Sequence, residues 1–503
     1  MQKNHKMSVR TFSLICLLVI GSFACIKKAD QSYIPLKIHT NRATLASDLE
    51  NLIPKLMDSA MVPGLSIAVI RDADILYHRG FGVKNTATNE PVTDSTVFEA
   101  ASLSKPVFAC AVMKMVEAGQ LDLDTPLIKY ASESYIEETF LRGGKIGDER
   151  IRHITPRMVL SHTPGFPNWR SRNTSIPIQF EPGEKFSYSG EGFVLLQRVV
   201  EHMSGMPLDE YMTKNILHPL GMENSSYVWT EKYDTLSAKR HNLFGEMTGK
   251  SKPSRANAAA SLHTTAVDYA KFVIAIMNDT GLLPETTRQI LSPQTKVNSV
   301  VSDSVYWGLG WGIEQTNDGP AFWHWGDNGD FKCFIVAFKE AKIGVVFLTN
   351  GANGLGIVED IVLHAVGGNH PAFASPLLSE YERYDPPSML FARTLCKEGV
   401  TTAIQRYRSM QKDHGEKPIL NESFVNQLGY TLLRSQKTDD AIEIFKLNVE
   451  LYPESYNVYD SLGEAYAMKG EKELAIENYE KSIELNPENT NGIDKLKELK
   501  GGE

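Results

Sequence analysis

Ser102 and Lys105 stand three residues apart in the run Phe98-Glu99-Ala100-Ala101-Ser102-Leu103-Ser104-Lys105-Pro106. At the start of a helix that spacing puts both side chains on one face. A hydroxyl beside an amine that can take its proton is a weak nucleophile made acylating. The spacing alone is not specific, because S-x-x-K recurs at Ser409-Met410-Gln411-Lys412 among residues that suggest no chemistry. The first copy differs in its surroundings. Pro106 has no N–H and fits only the first turn of a helix, and the residues from Val107 to Val116 are apolar almost all round, the pattern of a buried helix. A helix over 102–118 is expected, with Ser102 at its buried start. There the helix dipole favours developing negative charge, and the Ser102 N–H is free to hold an oxyanion.

Two further segments carry candidate chemistry. Pro182-Gly183-Glu184-Lys185-Phe186-Ser187-Tyr188-Ser189-Gly190 precedes an amphipathic helix over 191–203, an arrangement that can present the Tyr188 phenol to a cleft. Phe322-Trp323-His324-Trp325-Gly326-Asp327 precedes a strand, and a small residue two after His324 would let a substrate lie along the strand edge. Taken singly, Ser102 also suits a helix N-cap and Tyr188 a packed aromatic. His162 reads as structural, its ring bonded to loop backbone. The histidines show no metal-ligand spacing, so no metal site and no cofactor is implied. The acidic Asp327-Asn328-Gly329-Asp330 stretch reads as a turn.

The elements that must position these residues come from both ends of one body. Leu65–Ile70 and Ile75–His78 flank a polar turn, and Phe334–Phe338 and Ile343–Leu348 flank another, so each pair reads as a hairpin. Helical patterns at 44–57 and 356–366 bracket them, and the stretch 102–291 is mostly helices and long loops. The expected fold is α+β: one antiparallel sheet flanked by helices, a helical subdomain facing it, a cleft between them, and an all-α tail. In that tail, Leu428-Gly429, Ala441-Ile442-Glu443, Phe445 and Pro453 recur 34 residues later as Leu462-Gly463, Ala475-Ile476-Glu477, Tyr479 and Pro487. The period and its residues resemble tetratricopeptide repeats, two helix pairs over about 422–455 and 456–489. A partial unit around Ala403, Ile404 and Tyr407 precedes them. So short a stack favours a capping or spacer role, with a protein partner at the tail as the other use.

The boundaries follow. Residues 42–370 form the body, the proline-rich 371–388 a linker, and 389–503 the tail. At the other end, Lys3, Lys6 and Arg10 precede an apolar run over 12–20 and the small-residue stretch Gly21-Ser22-Phe23-Ala24-Cys25. That is the pattern of a signal peptide over 1–24, too short in its apolar part to span a bilayer. Ser22-Phe23-Ala24-Cys25 resembles a bacterial lipobox, although Leu is usual where Ser22 stands. It implies export, lipidation of Cys25, a tether over 25–41 and contact with a membrane only through that anchor; ordinary signal-peptidase cleavage at the same bond would leave a periplasmic or secreted protein. The net charge of −9 argues against a nucleic-acid partner.

The ordered set of motifs resembles the serine hydrolases of the class C β-lactamase, penicillin-binding-protein and esterase type. It runs from Ser102-Leu103-Ser104-Lys105 through Leu160-Ser161-His162-Thr163-Pro164-Gly165, Pro182-Gly183, Tyr188-Ser189 and Gly308-Leu309-Gly310-Trp311-Gly312 to His324-Trp325-Gly326. The resemblance implies Ser102 as nucleophile, Lys105 as its proton acceptor and Tyr188 as a general acid/base serving the leaving group. It also implies that His324 and Gly326 line the cleft, and that the N–H groups of Ser102 and Asp327 hold the oxyanion. The family's β-lactamases carry Asn where this chain has Gly190 and Lys where it has His324. Both departures point from β-lactams toward an esterase or D-aminopeptidase-like activity on a small-molecule or peptide-like ester or amide. The contrasting reading is a non-catalytic binding or scaffold protein that keeps the fold and uses the tail for partners.

Overall fold

Short, nearly continuous apolar runs bounded by polar turns build the central sheet of the computed structural model, which describes residues 33–501 apart from 172–175, 250–251, 298–302, 380, 382, 385 and 416. The expected signal segment 1–24, Cys25 and the expected tether as far as residue 32 lie outside the described residues. Eleven strands follow in chain order: β1 (Gly64–Arg71), β2 (Asp74–Asn85), β3 (Glu90–Pro91), β4 (Phe98–Ala101), β5 (Leu262–Thr264), β6 (Thr295–Lys296), β7 (Val305–Trp307), β8 (Gly312–Thr316), β9 (Gly319–Asp327), β10 (Lys332–Phe338) and β11 (Ile343–Thr349). Nine of them form one antiparallel sheet in the order β3-β2-β1-β11-β10-β9-β8-β7-β6. The two hairpins read from sequence meet at its centre, where β1 pairs with β11 from Leu65↔Thr349 to Ile70↔Gly344.

Every residue of β1, β10 and β11 is buried, because both faces of the sheet are covered. Leu65, Ile67, Val69, Phe334 and Val345 point to one face, under the helices Arg42–Ala60 and Val358–Ala365. Ala68, Ile70, Ile335 and Val346 point to the other, where they join the core of the helical half. That core includes the helix Ser104–Glu117, which starts two residues later than the sequence pattern suggests.

A second, two-stranded sheet was not legible in the pattern: β4 pairs with β5 across more than 150 residues of chain. It carries the nucleophile candidate at its end. The stretch 371–384 also differs from the expected linker. Leu378 and Ser375 are buried, Leu377, Tyr381 and Tyr384 pack on the sheet's outer core, and Tyr381 Oη donates to Asp327 Oδ2 at 2.9 Å. Proline density signalled irregular backbone there, yet its apolar side chains still find a surface to cover.

The tail consists of the helices Pro387–Glu398, Val400–His414, Glu422–Arg434, Thr438–Leu451, Tyr456–Lys469, Lys472–Leu485 and Thr490–Lys500. Gly429 lets the Phe445 ring approach so closely that a Cβ there would lie 2.4 Å from it. Leu243 and Phe244, from a loop of the body, enter the tail's own core beside Phe391, Leu395 and Tyr407. Phe244→Ala is therefore expected to cost about 3 kcal/mol and to quicken proteolysis of the tail. Lys437→Ala removes only the half-exposed 2.7 Å pair with Glu246 and should cost less than about 1 kcal/mol. Thermal melts with limited proteolysis compare the two; equal losses would contradict the packing described.

Candidate active site

Ser102 sits in the turn between β4 and the buried helix, not within the helix, whose N-cap is Leu103 with no side-chain cap. The capping role for Ser102 is thereby excluded. Ala101, just before it, takes φ +49°, a left-handed conformation that costs an L-residue about 1–2 kcal/mol. Four hydrogen bonds hold the turn. Ser104 Oγ donates to Ala101 O at 2.6 Å and accepts from Leu262 N at 2.9 Å, while Tyr227 and Tyr269 donate to the carbonyls of Ser104 and Leu103. The Ser102 N–H makes no hydrogen bond among the described residues.

Lys105, one turn on, is completely buried. Its Nζ lies 3.0 Å from Ser102 Oγ and donates to Ala259 O at 2.9 Å. The amine rests 4.7 Å from the centre of the Tyr188 ring and 5.8 Å from that of Phe193. Burial alone drives its pKa well below the ordinary lysine value, and no carboxylate offsets it. A neutral amine has a lone pair, so the Ser102 hydroxyl can donate to it.

Tyr188 is set from two sides by His162. Ser187 N donates to His162 O at 2.8 Å, Ser189 N donates to His162 Nδ1 at 3.0 Å, and the two rings lie 4.2 Å apart. The His162 ring thus bonds to loop backbone as expected, but its part in placing Tyr188 was not legible. Burial raises the Tyr188 pKa, with Ser102 nearby opposing weakly. Burial thus favours the protonated phenol, and the amine beside it is itself desolvated.

His324 and Gly326 lie on β9, past the point where β8 stops pairing at Gly312↔Trp323. His324 is fully buried. Its Nδ1 lies 2.7 Å from Trp325 O, which can only accept, so Nδ1 carries the proton and Nε2 the lone pair. Burial first, then Lys105, push its pKa down to about 3. The small residue at 326 serves the nucleophile's own strand: a Cβ there would lie 2.5 Å from Ala100 O. Asp327 ends β9, its carboxylate taken up by Lys332 Nζ at 2.6 Å and Gly329 N at 2.7 Å. Three buried polar atoms in this cluster, His162 Nε2, Trp307 Nε1 and His324 Nε2, have no hydrogen-bond partner among the described residues. Buried polar groups are normally paired, so the cluster keeps hydrogen-bonding capacity in reserve.

Gly190 is explained by a loop that the sequence gave no reason to single out. Asn168 accepts from Gly190 N through both Oδ1 and its backbone carbonyl at 3.0 Å. A Cβ on Gly190 would lie 2.8 Å from the Trp169 ring. The buried Arg170–Glu191 pair, 2.6 Å, fixes that loop to the helix Gly190–Ser204.

A family profile described as Beta-lactamase matches residues 49–365, the span that contains all of these groups. The chain belongs to the beta-lactamase family. Within this family of serine hydrolases it is 25% identical to penicillin-binding protein 4 of Amycolatopsis lactamdurans, over 61% of this chain and 85% of that one. It is 23% identical to esterase EstB of Burkholderia gladioli, over 57% and 84%. The octameric penicillin-binding protein homologue from Pyrococcus abyssi superposes with a TM-score of 0.53 at 25% identity, covering 70% of this chain and 82% of that one. A tetratricopeptide repeat profile matches residues 456–489.

The buried amine has a consequence for stability. Its pKa is depressed on folding, so between that value and about 10.4 the unfolded chain binds the extra proton. Stability therefore rises with pH through this window. Lys105→Met should gain most over the parent near neutrality, the gain shrinking toward pH ~10. Urea melts across pH measure it, and a pH-independent difference would show that the amine is charged when folded.

Proposed function

We propose that the chain hydrolyses an ester or amide through an acyl-enzyme on Ser102. The 3.0 Å contact between Ser102 Oγ and the buried Lys105 amine carries this reading. As Oγ bonds to the carbonyl carbon, its proton passes to the neutral amine. The N–H groups of Ser102 and Asp327 hold the oxygen that becomes negative. Expulsion of the alcohol or amine breaks the old bond, and Tyr188, kept protonated by burial, gives its proton to the leaving group. Water then attacks the acyl-enzyme and gives a proton to the Tyr188 phenolate, while Ser102 Oγ leaves with the proton held by Lys105, so the acid is released and all three groups are restored.

Two observations favour esters or D-amino-acid amides over β-lactams. His324, neutral with a pKa of about 3, offers no cation to a carboxylate beside the reacting carbonyl. Asn168 and Trp169 occupy the space beyond Gly190, leaving no room there for the side chain that the family's β-lactamases carry. The names of the relatives include both an esterase and penicillin-binding proteins.

A fluorophosphonate should label the full-length protein at Ser102. Ser102→Ala should abolish labelling, and Lys105→Ala should slow it by about 10²-fold or more. Short-chain esters or D-amino-acid amides should turn over faster than a cephalosporin. Folded protein that resists labelling would sink the proposal, and a preference for the cephalosporin would sink its substrate half.

A further inference from the structure

A chamber of about 910 Å³ opens where β9 ends, walled by the body on one side and by the first repeat helix of the tail on the other. Asp327, Asp330 and Lys332 contribute from the β9–β10 turn, Arg240 from a nearby loop, and Thr431 and Arg434 from the helix Glu422–Arg434. Ser102 is not one of its walls. The chamber reaches Asp327 at the end of β9, and a short chain of bonds joins its walls to the residues around Ser102. Arg240 pairs with the buried Glu99 at 2.6 Å, three residues before Ser102. Asn328 Nδ2 donates to Glu99 Oε2 at 3.0 Å and to Ala260 O at 3.3 Å, next to the Ala259 carbonyl that holds Lys105.

The charges on its walls are mostly cancelled. Lys332 pairs with Asp327, Arg240 with Glu99, and Glu246 with Lys437. Asp330 accepts from Thr248 Oγ1 at 2.6 Å. Arg434 is different: among the described residues its guanidinium makes one hydrogen bond, Nε to Tyr430 O at 3.1 Å, and no ion pair. An exposed guanidinium with free N–H groups is a fork suited to a carboxylate. Asp330, on the body's side, suits an N–H donor on the same ligand.

We infer that the chamber is a remote substrate subsite, in which the repeat tail reads a carboxylate at the far end of the group that β9 presents to Ser102. The inference rests on the hydrolase reading above and adds a role for the tail: Arg434 is a specificity residue supplied by the repeat helix. It also separates two ways of meeting an anion. A carboxylate next to the reacting carbonyl finds only neutral His324, whereas one at a distance finds Arg434. The ligand class is a chain with a terminal carboxylate and an N–H donor, as at the end of a peptide.

Fluorophosphonates in two matched series test this, their alkyl chains ending in methyl or in carboxylate and increasing in length. The readout is the ratio of labelling rates at Ser102. In the parent protein the carboxylate series should gain roughly 10-fold over the methyl series once the chain spans the distance, the scale of one charged hydrogen-bonded contact. Arg434→Ala should bring that ratio to about one and Arg434→Glu should invert it. Arg408→Ala, which removes a tail arginine paired with Glu450 and absent from the chamber walls, should keep the parent's ratio. Equal ratios in the parent and Arg434→Ala, or equal losses in the Arg408 and Arg434 variants, would overturn the inference while leaving the hydrolase intact. Failure of every probe to label would instead overturn the hydrolase reading.

Discussion

A lysine amine withdrawn from water with no carboxylate beside it is the condition on which the site depends. Desolvation acts on a titratable group by penalising its charged form, so the same burial moves acids and bases in opposite directions. At this site it lowers Lys105 and raises Tyr188, two groups whose ordinary values both lie near 10. That splitting assigns a neutral base beside the serine and a protonated phenol above it. The apolar helix Ser104–Glu117 and the rings of Tyr188 and Phe193 make the pocket dry. The Ala259 carbonyl directs the amine without giving it a counter-charge.

Keeping that amine against Ser102 is a matter of backbone contact rather than of side chains alone. The left-handed Ala101 turns the chain from β4 into the helix, and Ser104, Tyr227 and Tyr269 tie down the carbonyls and strand end around the turn. Gly326 then admits β4 directly onto β9, so the nucleophile and the strand edge that would present a carbonyl share one rigid unit. The central sheet, buried on both faces, fixes β9. The docked 371–384 stretch braces its end through Tyr381 and Asp327.

What was legible in the sequence was whatever chemistry and periodicity leave nearby in the chain. Ser102, Lys105 and Tyr188 announced themselves through local motifs, as did the two hairpins through paired apolar runs around polar turns and the tail through its 34-residue period. The hidden parts have their partners far away. β4 meets β5 at Leu262–Thr264, Lys105 meets Ala259, and Gly190 meets Asn168 and Trp169 in a loop with no motif of its own. Three-residue strands carry no usable period, and a clamp such as Tyr269 on Leu103 O looks in sequence like any core tyrosine. The direction of the Tyr188 shift was equally out of reach, because it follows from burial among residues distant in the chain.

The pH dependence of acylation at Ser102 tests the central claim most directly. If Lys105 is the desolvated base described, the labelling rate of the full-length protein should be level through neutrality and fall only on the acid side, where the amine gains its proton. A rate that instead climbs with pH toward a midpoint near 10 would mean an ordinary, charged lysine, and would contradict the account.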